Sequence, residues 1–311
     1  ALDMQVVIGP KRDIDLMGRV LSLTEVKTSY APPGAGRVTQ TSYVDDEGRP
    51  LKSIIPIMGL QIEMIACAKE FALSKVESPE LFSNMLLDSP EPLGDLSKTE
   101  AITYSLSRTQ PGSDLGIPQT DAQSVRSFAD GSVAVTVKPL TIPSGGRFPY
   151  KGNDATAKAA LEANLYLQSE DPRVVALARQ AVGQTADTGK AVQKIEAFVA
   201  EYIDSKDLSV GYASAAEVIQ TRQGDCSEHA VLCAALCRAL GIPAQVVVGV
   251  AYVEEFGGAM NCFGGHAWTR ALVKDKWVDF DAAFKGTRRG GFDAGHITLA
   301  TGNGEPGDFF A

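Results

Sequence analysis

The chain has 311 residues, 44% hydrophobic and 22% charged, with a formal net charge of −9. That length predicts two domains, and the composition supplies two cores and gives no reason to expect disorder. The acidic balance argues against a general binder of nucleic acid or anionic membrane, and no stretch approaches the roughly 20 apolar residues of a transmembrane helix.

Residues 1–150 read as β-rich and are taken as the first domain. Val38–Val44 is a predicted strand, Asp45-Asp46-Glu47-Gly48 a turn, and Leu51–Ile57 the returning arm of a hairpin. A helix is expected over Glu63–Ser74. Ala101–Leu106 and Ser132–Val137 alternate with period two and read as further strands, the second opened by the Asp130-Gly131 turn. The run from Pro139 to Gly152 is rich in Pro and Gly and is the predicted linker.

Residues 151–311, the second domain, begin helical. One helix is expected over Ala155–Leu167. Asp171-Pro172 supplies an N-cap and a first-turn proline for a second, which Gly183 ends. Lys190–Tyr202 carries Val192, Ile195, Phe198 and Val199 at amphipathic spacing. Ser214-Ala215-Ala216-Glu217 is a capping box for a short helix. A long apolar helix follows from Cys226 to Leu240, stopped by Gly241 and Pro243. Ala244–Val253 reads as a buried strand. Ala267–Val273 and Trp277–Asp281 read as a hairpin around a three-residue turn, Lys274–Lys276, in which position 269 faces 281. Helices followed by antiparallel strands define an α+β fold.

Five cysteines are present. Cys233 and Cys237 form no CxxC pair, so they read as small buried hydrophobes and not as a zinc site. No framework of paired cysteines is visible, which fits either a cytosolic chain or an exported one independent of disulfides. The chain starts at Ala1, not Met, and a removed leader is the expectation, with a periplasmic or cell-envelope location.

Chemistry concentrates in three places. Cys226 sits in Gly224-Asp225-Cys226-Ser227-Glu228 at a helix start, His266 in Gly264-Gly265-His266-Ala267-Trp268, and Asp281 ends Trp277-Val278-Asp279-Phe280-Asp281. A free thiol ionises near about pH 8.5 and is a poor nucleophile at neutral pH; a helix N-terminus and a neighbouring imidazolium both favour the thiolate. Gly224 permits the tight entry and Asp225 is the expected N-cap. An amide at the helix start can hold an oxyanion, an imidazole can take the thiol proton, and a carboxylate can orient the imidazole. Gly264 and Gly265 are expected to allow close backbone approach. The rivals are weaker. His229 lies three residues along the same helix, Cys262 lacks a helix dipole, and His296 lacks catalytic company. Asp279 has the same strand parity as Asp281, so parity leaves both open as orienter.

The motifs Gly224-Asp225-Cys226, Gly241-Ile242-Pro243-Ala244, His266-Ala267-Trp268 and Trp277–Asp281 resemble the transglutaminase-like superfamily, the papain-like group that includes transglutaminases and bacterial transglutaminase-like proteases. The resemblance covers about residues 155–285 and departs at Ala282, where the family often has Pro. It implies a papain-like core with Cys226 as nucleophile, His266 as base and Asp281, in preference to Asp279, as orienter. Tyr212 and Gln223 are guesses for a second oxyanion donor. The implied function is thiol-dependent attack on peptide or glutamine-type amides, with hydrolysis favoured over protein crosslinking. A silent binding scaffold is the reading from another class. A protein or peptide substrate is implied, with no cofactor or metal; no EF-hand-like loop is present.

Overall fold

The computed structural model describes residues 4–16, 18–30, 38–57, 60–72, 86–107, 116–205, 213–256 and 258–304. It forms two compact units, residues 1–78 with 306–311, and 79–305; the expected linker near residue 150 lies within the second.

The first unit is an antiparallel meander of β1 (Met4–Asp15), β2 (Val20–Tyr30), β3 (Val38–Val44), β4 (Pro50–Ile57) and β5 (Leu60–Ile65). The β1–β2 register breaks between Ile8 and Lys11, across Gly9-Pro10, where proline has no N–H to give the ladder. Asp45 closes the β3–β4 turn by accepting from the Glu47 and Arg49 amides at 3.1 and 2.8 Å. The helix expected from Glu63 is a strand at its start. Leu60, Ile62 and Met64 alternate with polar neighbours, and that alternation outweighs the helix preference of Glu and Met. Among the described residues the short α1 (Lys69–Ala72) follows, and the expected end at Ser74 lies outside them.

The second unit opens with β6 (Leu87–Asp88), β7 (Ile102–Leu106), β8 (Gln123–Ser127) and β9 (Val133–Val137). The last three form a sheet in the order β7-β9-β8. The helices are α2 (Ala155–Ala159), α3 (Pro172–Val182), α4 (Thr188–Tyr202), α5 (Ala215–Thr221) and α6 (Cys226–Ala239). After them come β10 (Ala244–Phe256), β11 (Ala259–Val273), β12 (Lys276–Phe280), α7 (Ala282–Lys285) and β13 (His296–Gly302). The central sheet runs β12-β11-β10-β13, with β6 also paired to β11. The fold is therefore α+β with antiparallel sheets and a β-rich N-terminal region, as the element order implied.

α2 ends earlier than expected. Past its end the Ala160 carbonyl accepts from the Ala244 amide at 3.0 Å and the Glu162 carbonyl from Arg238 Nη1 at 2.6 Å, so tertiary donors take the carbonyls that a longer helix would use, and Asn164 caps the turn that follows. α6 is the centre of the unit, packed by α3, α4 and α5 and laid on β10 and β11. Val231 through Cys237 are each no more than 1% exposed. A helix apolar all round belongs in such a position, and its Ala and Cys residues let neighbours approach closely. Val133, Val135 and Val137 of β9 pack with Tyr252, Phe263 and Ile297 of the central sheet, joining the two sheets of this unit through one core. No helix among the described residues is long and apolar enough to cross a membrane.

Candidate active site

Cys226 is the first residue of α6, half-buried at the rim of a cleft. Its position is fixed by a capping box. Asp225 accepts from the Ser227 amide at 2.9 Å, and Glu228 reaches back to accept from the Asp225 amide at 2.9 Å. Glu228 is fully buried and also accepts from the Ala213 amide at 2.9 Å. Burial raises its carboxyl above the ordinary range against these hydrogen bonds. Gly224 is required here. A Cβ on it would lie 2.2 Å from the Glu228 Cβ. The returning glutamate occupies the volume that any side chain at 224 would need.

His266 lies inside β11, opposite Gly249 of β10. Gly249 is the close-packed glycine: a Cβ there would meet the Ile297 carbonyl oxygen at 2.0 Å and Trp268 at 2.7 Å. Gly264 and Gly265, expected to allow close approach, do something else. A Cβ on Gly265 would meet nothing within 4 Å, and one on Gly264 only Leu86 at 3.3 Å. They leave the cleft open beside the imidazole.

The His266 ring lies flat on Phe284, with centroids 4.4 Å apart and planes 11° apart. Its Nε2 lies 2.8 Å from Asp281 Oδ2, and Cys226 lines the same cleft close enough to influence the ring. With Nε2 committed to the carboxylate, Nδ1 is the nitrogen left for the thiol. Burial lowers the proton affinity of this ring, but the Asp281 carboxylate and Cys226 outweigh it and lift the pKa to about 9.

Asp281 follows β12 and caps α7, its Oδ1 accepting from the Ala283 and Phe284 amides at 2.8 and 3.3 Å. Burial works against its charge, yet His266 and His296 hold the carboxyl well below the usual range. The hairpin before it is one residue tighter than expected. Lys274 adopts φ +60°, so two residues make the turn and Thr269 faces Phe280.

Asp279 takes another partner. It faces Arg270 across the hairpin and accepts from Trp268 Nε1 at 2.9 Å. Burial pushes its carboxyl up to about 6, despite Trp268 and Arg270. The structure thus joins Cys226, His266 and Asp281 and leaves Asp279 apart.

His229 is buried in the lining of the cleft, its Nδ1 2.5 Å from the Asp225 carbonyl oxygen, so that nitrogen is tied to the backbone. Cys262 is buried in β11, paired with Val253 and Asp88, and burial raises its thiol. Burial likewise pushes the Cys237 thiol up to about 12 and Cys233 well above the ordinary value. Gln223 is exposed and does not line the cleft. Tyr212 lies outside the described residues.

His296 corrects the expectation of an isolated histidine. It is fully buried, and its Nε2 lies 3.1 Å from the same Asp281 oxygen that His266 uses. β13 reaches the site by pairing with β10, a tertiary contact. The available signal was Arg289, Asp293 and His296 at helical-turn spacing before a strand. His266, Asp281 and His296 offer ligand atoms within 4.8 Å of one another, the one group among the described residues that could hold a metal ion. In the structure hydrogen bonds join these atoms.

The cleft has a volume of about 490 Å³. Leu86, Val253, Phe256 and Phe284 form its apolar wall, and Cys226 and His266 face it. The cleft thus brings together a cysteine at a helix N-terminus and a strand-borne histidine hydrogen-bonded to a carboxylate. In agreement, the sequence profile of the transglutaminase-like superfamily matches residues 175–282, so this chain carries a transglutaminase-like domain there. A candidate cysteine protease from Cytophaga hutchinsonii is similar at 22% identity, over 65% of this chain and 70% of its own, with a TM-score of 0.44. The periplasmic domain of TgpA from Pseudomonas aeruginosa, bound to ethylmercury, is similar at 20% identity over 60% of this chain and 74% of its own, with a TM-score of 0.40. No curated protein matches the sequence.

Proposed function

We propose that the second unit is a thiol-dependent amidase or peptidase. The observation that carries this reading is the 2.8 Å His266–Asp281 hydrogen bond with Cys226, the first residue of α6, lining the same cleft as the imidazole. The Cys226 sulfur attacks the amide carbonyl while His266 Nδ1 holds the thiol proton. The C–N bond then breaks, the amine leaves with that proton, and a thioester remains on Cys226. The amide of Cys226, at a helix N-terminus, is suited to bind the tetrahedral oxyanion. Water attacks the thioester, His266 takes its proton, and the acid and free thiol are released. Asp281 keeps His266 Nε2–H pointed away from the sulfur and stabilises the imidazolium.

The substrate is a protein or peptide. A casein digest with an added primary amine tests the reading, with products identified by mass. Free acids formed by the wild type but not by C226A or H266A support hydrolysis. Amine-tagged products would replace it with acyl transfer. No product from the wild type, together with unchanged alkylation of Cys226 in H266A, would overturn the enzyme reading in favour of a binding scaffold.

A further inference from the structure

We propose that His296 is a positioning residue for this site, holding the Asp281 carboxylate in place for His266 from the opposite side. The proposal rests on the Cys226–His266–Asp281 reading above. Asp281 Oδ2 lies 2.8 Å from His266 Nε2 and 3.1 Å from His296 Nε2, while Oδ1 is taken by the α7 amides. The carboxylate is ionised, so it only accepts, and both imidazoles must donate to it through Nε2–H.

The other nitrogen of His296 explains why a histidine suits this position. Nδ1 faces two acceptors, the Asp293 carbonyl at 3.2 Å and Asp293 Oδ1 at 3.1 Å. It also faces two donors, the Asp293 amide at 3.3 Å and the Arg289 guanidinium at 3.4 Å. A protonated Nδ1 donates to the former and a bare one accepts from the latter. In either state Nε2–H remains on Asp281, so the support does not depend on the charge of His296. The ring itself is clamped. Phe292 lies 4.7 Å from its centroid, Trp268 5.2 Å and Phe284 5.6 Å, the last two edge-on. The charged or titratable groups around it are Asp281, Asp293, Arg289, His266 and, through Trp268, Asp279. His296 does not line the cleft, so it acts on substrate only through Asp281.

The test compares H296F, which keeps the ring volume without a donor, with H296Q, whose amide keeps a neutral donor. The first readout needs no substrate: the iodoacetamide alkylation rate of Cys226 across pH 5 to 9, located by peptide mass, with H266A alongside. H296F is expected to be slower at neutral pH by about 10-fold or more, the scale of losses when an orienting partner is removed. H296Q is expected to stay within about 3-fold of wild type. In turnover of the casein-digest peptides, kcat should fall and KM stay level in H296F. Alkylation and kcat at wild-type values in a folded H296F would overturn the proposal and leave His296 a packing residue. An H266A rate equal to wild type would instead overturn the reading of the site itself. If H296F does not fold, H296N takes its place. Its amide is too short to reach Asp281, so equal rates in H296N and H296Q would overturn the proposal, and a deficit confined to H296N would support it.

Discussion

Replacing Asp279 with Asn should make the second unit more stable in alkali and leave the Cys226 site intact. Asp279 is 4% exposed, and its Oδ2 has no hydrogen-bond partner among the described residues. Burial pushes the carboxyl from 3.8 to about 6, a preference for the neutral form of about 3 kcal/mol. The sign follows from linkage. Between those two values the folded chain keeps a proton that the unfolded chain has lost, so stability falls as pH rises through the window. Above it the folded protein carries the whole penalty. Asn does not titrate, and its Oδ1 can still accept from Trp268. D279N and wild type should therefore be nearly equal at about pH 4.5 and differ by about 2 kcal/mol at pH 8, with D279N the more stable. Urea unfolding at both pH values, followed by tryptophan fluorescence, is the assay. Both tryptophans, Trp268 and Trp277, lie in this unit, so the signal reports it alone. Parallel pH dependence in the two proteins would refute the buried-charge argument. Loss of Cys226 reactivity in D279N would refute the assignment of Asp281 as the partner of His266.

D281N should remove the main influence that raises His266, so that the ring titrates well below about 9. NMR titration of the ring, in parallel with alkylation of Cys226, checks this, and an unmoved titration would contradict it. The same raised value means that His266 contributes its full stability below pH 6.5 and loses it as pH climbs toward 9. Thermal melts of wild type against H266A should therefore converge in alkali. G224A forces a Cβ to within 2.2 Å of Glu228 and should cost about 2–4 kcal/mol; a denaturation midpoint matching wild type would show that the capping box can yield. F284A removes the surface on which His266 lies and should lower kcat more than KM in peptide turnover, whereas a change confined to KM would make Phe284 a substrate contact.

What the sequence disclosed about the site was what its neighbours in the chain encode. Gly224-Asp225-Cys226 announces a helix entry, Gly241-Ile242-Pro243 its end, and His266-Ala267-Trp268 a strand, because caps, turns and alternation are local physics. Glu228, three residues beyond Asp225, completed a capping box that the same rules could have read. Asp281 over Asp279 was decided by resemblance, since strand parity is identical; the structure separates them through a tertiary contact, the Trp268 indole on Asp279. His296 was passed over for the same reason. Its partners are 15 and 30 positions back and meet it only because β13 adds to the edge of β10. The overlong helix at Ala155 failed on tertiary hydrogen bonds, the Ala244 amide on the Ala160 carbonyl and Arg238 on that of Glu162, which a pattern of apolar residues does not register.

The burial of α6 ties the proposed nucleophile, Cys226, to the fate of the whole unit. A half-exposed residue usually belongs to a segment that frays on its own, and its amide hydrogens exchange with solvent through small local openings. Cys226 sits on the first turn of a helix whose middle is sealed on every side. The amides of Val231 through Cys237 can meet deuterium only when the unit comes apart. Cys226 and the most deeply buried part of the helix are thus two ends of one rod. As denaturant rises, Cys226 should keep its rate of modification until the helix core exchanges, and then lose its special reactivity in the same transition.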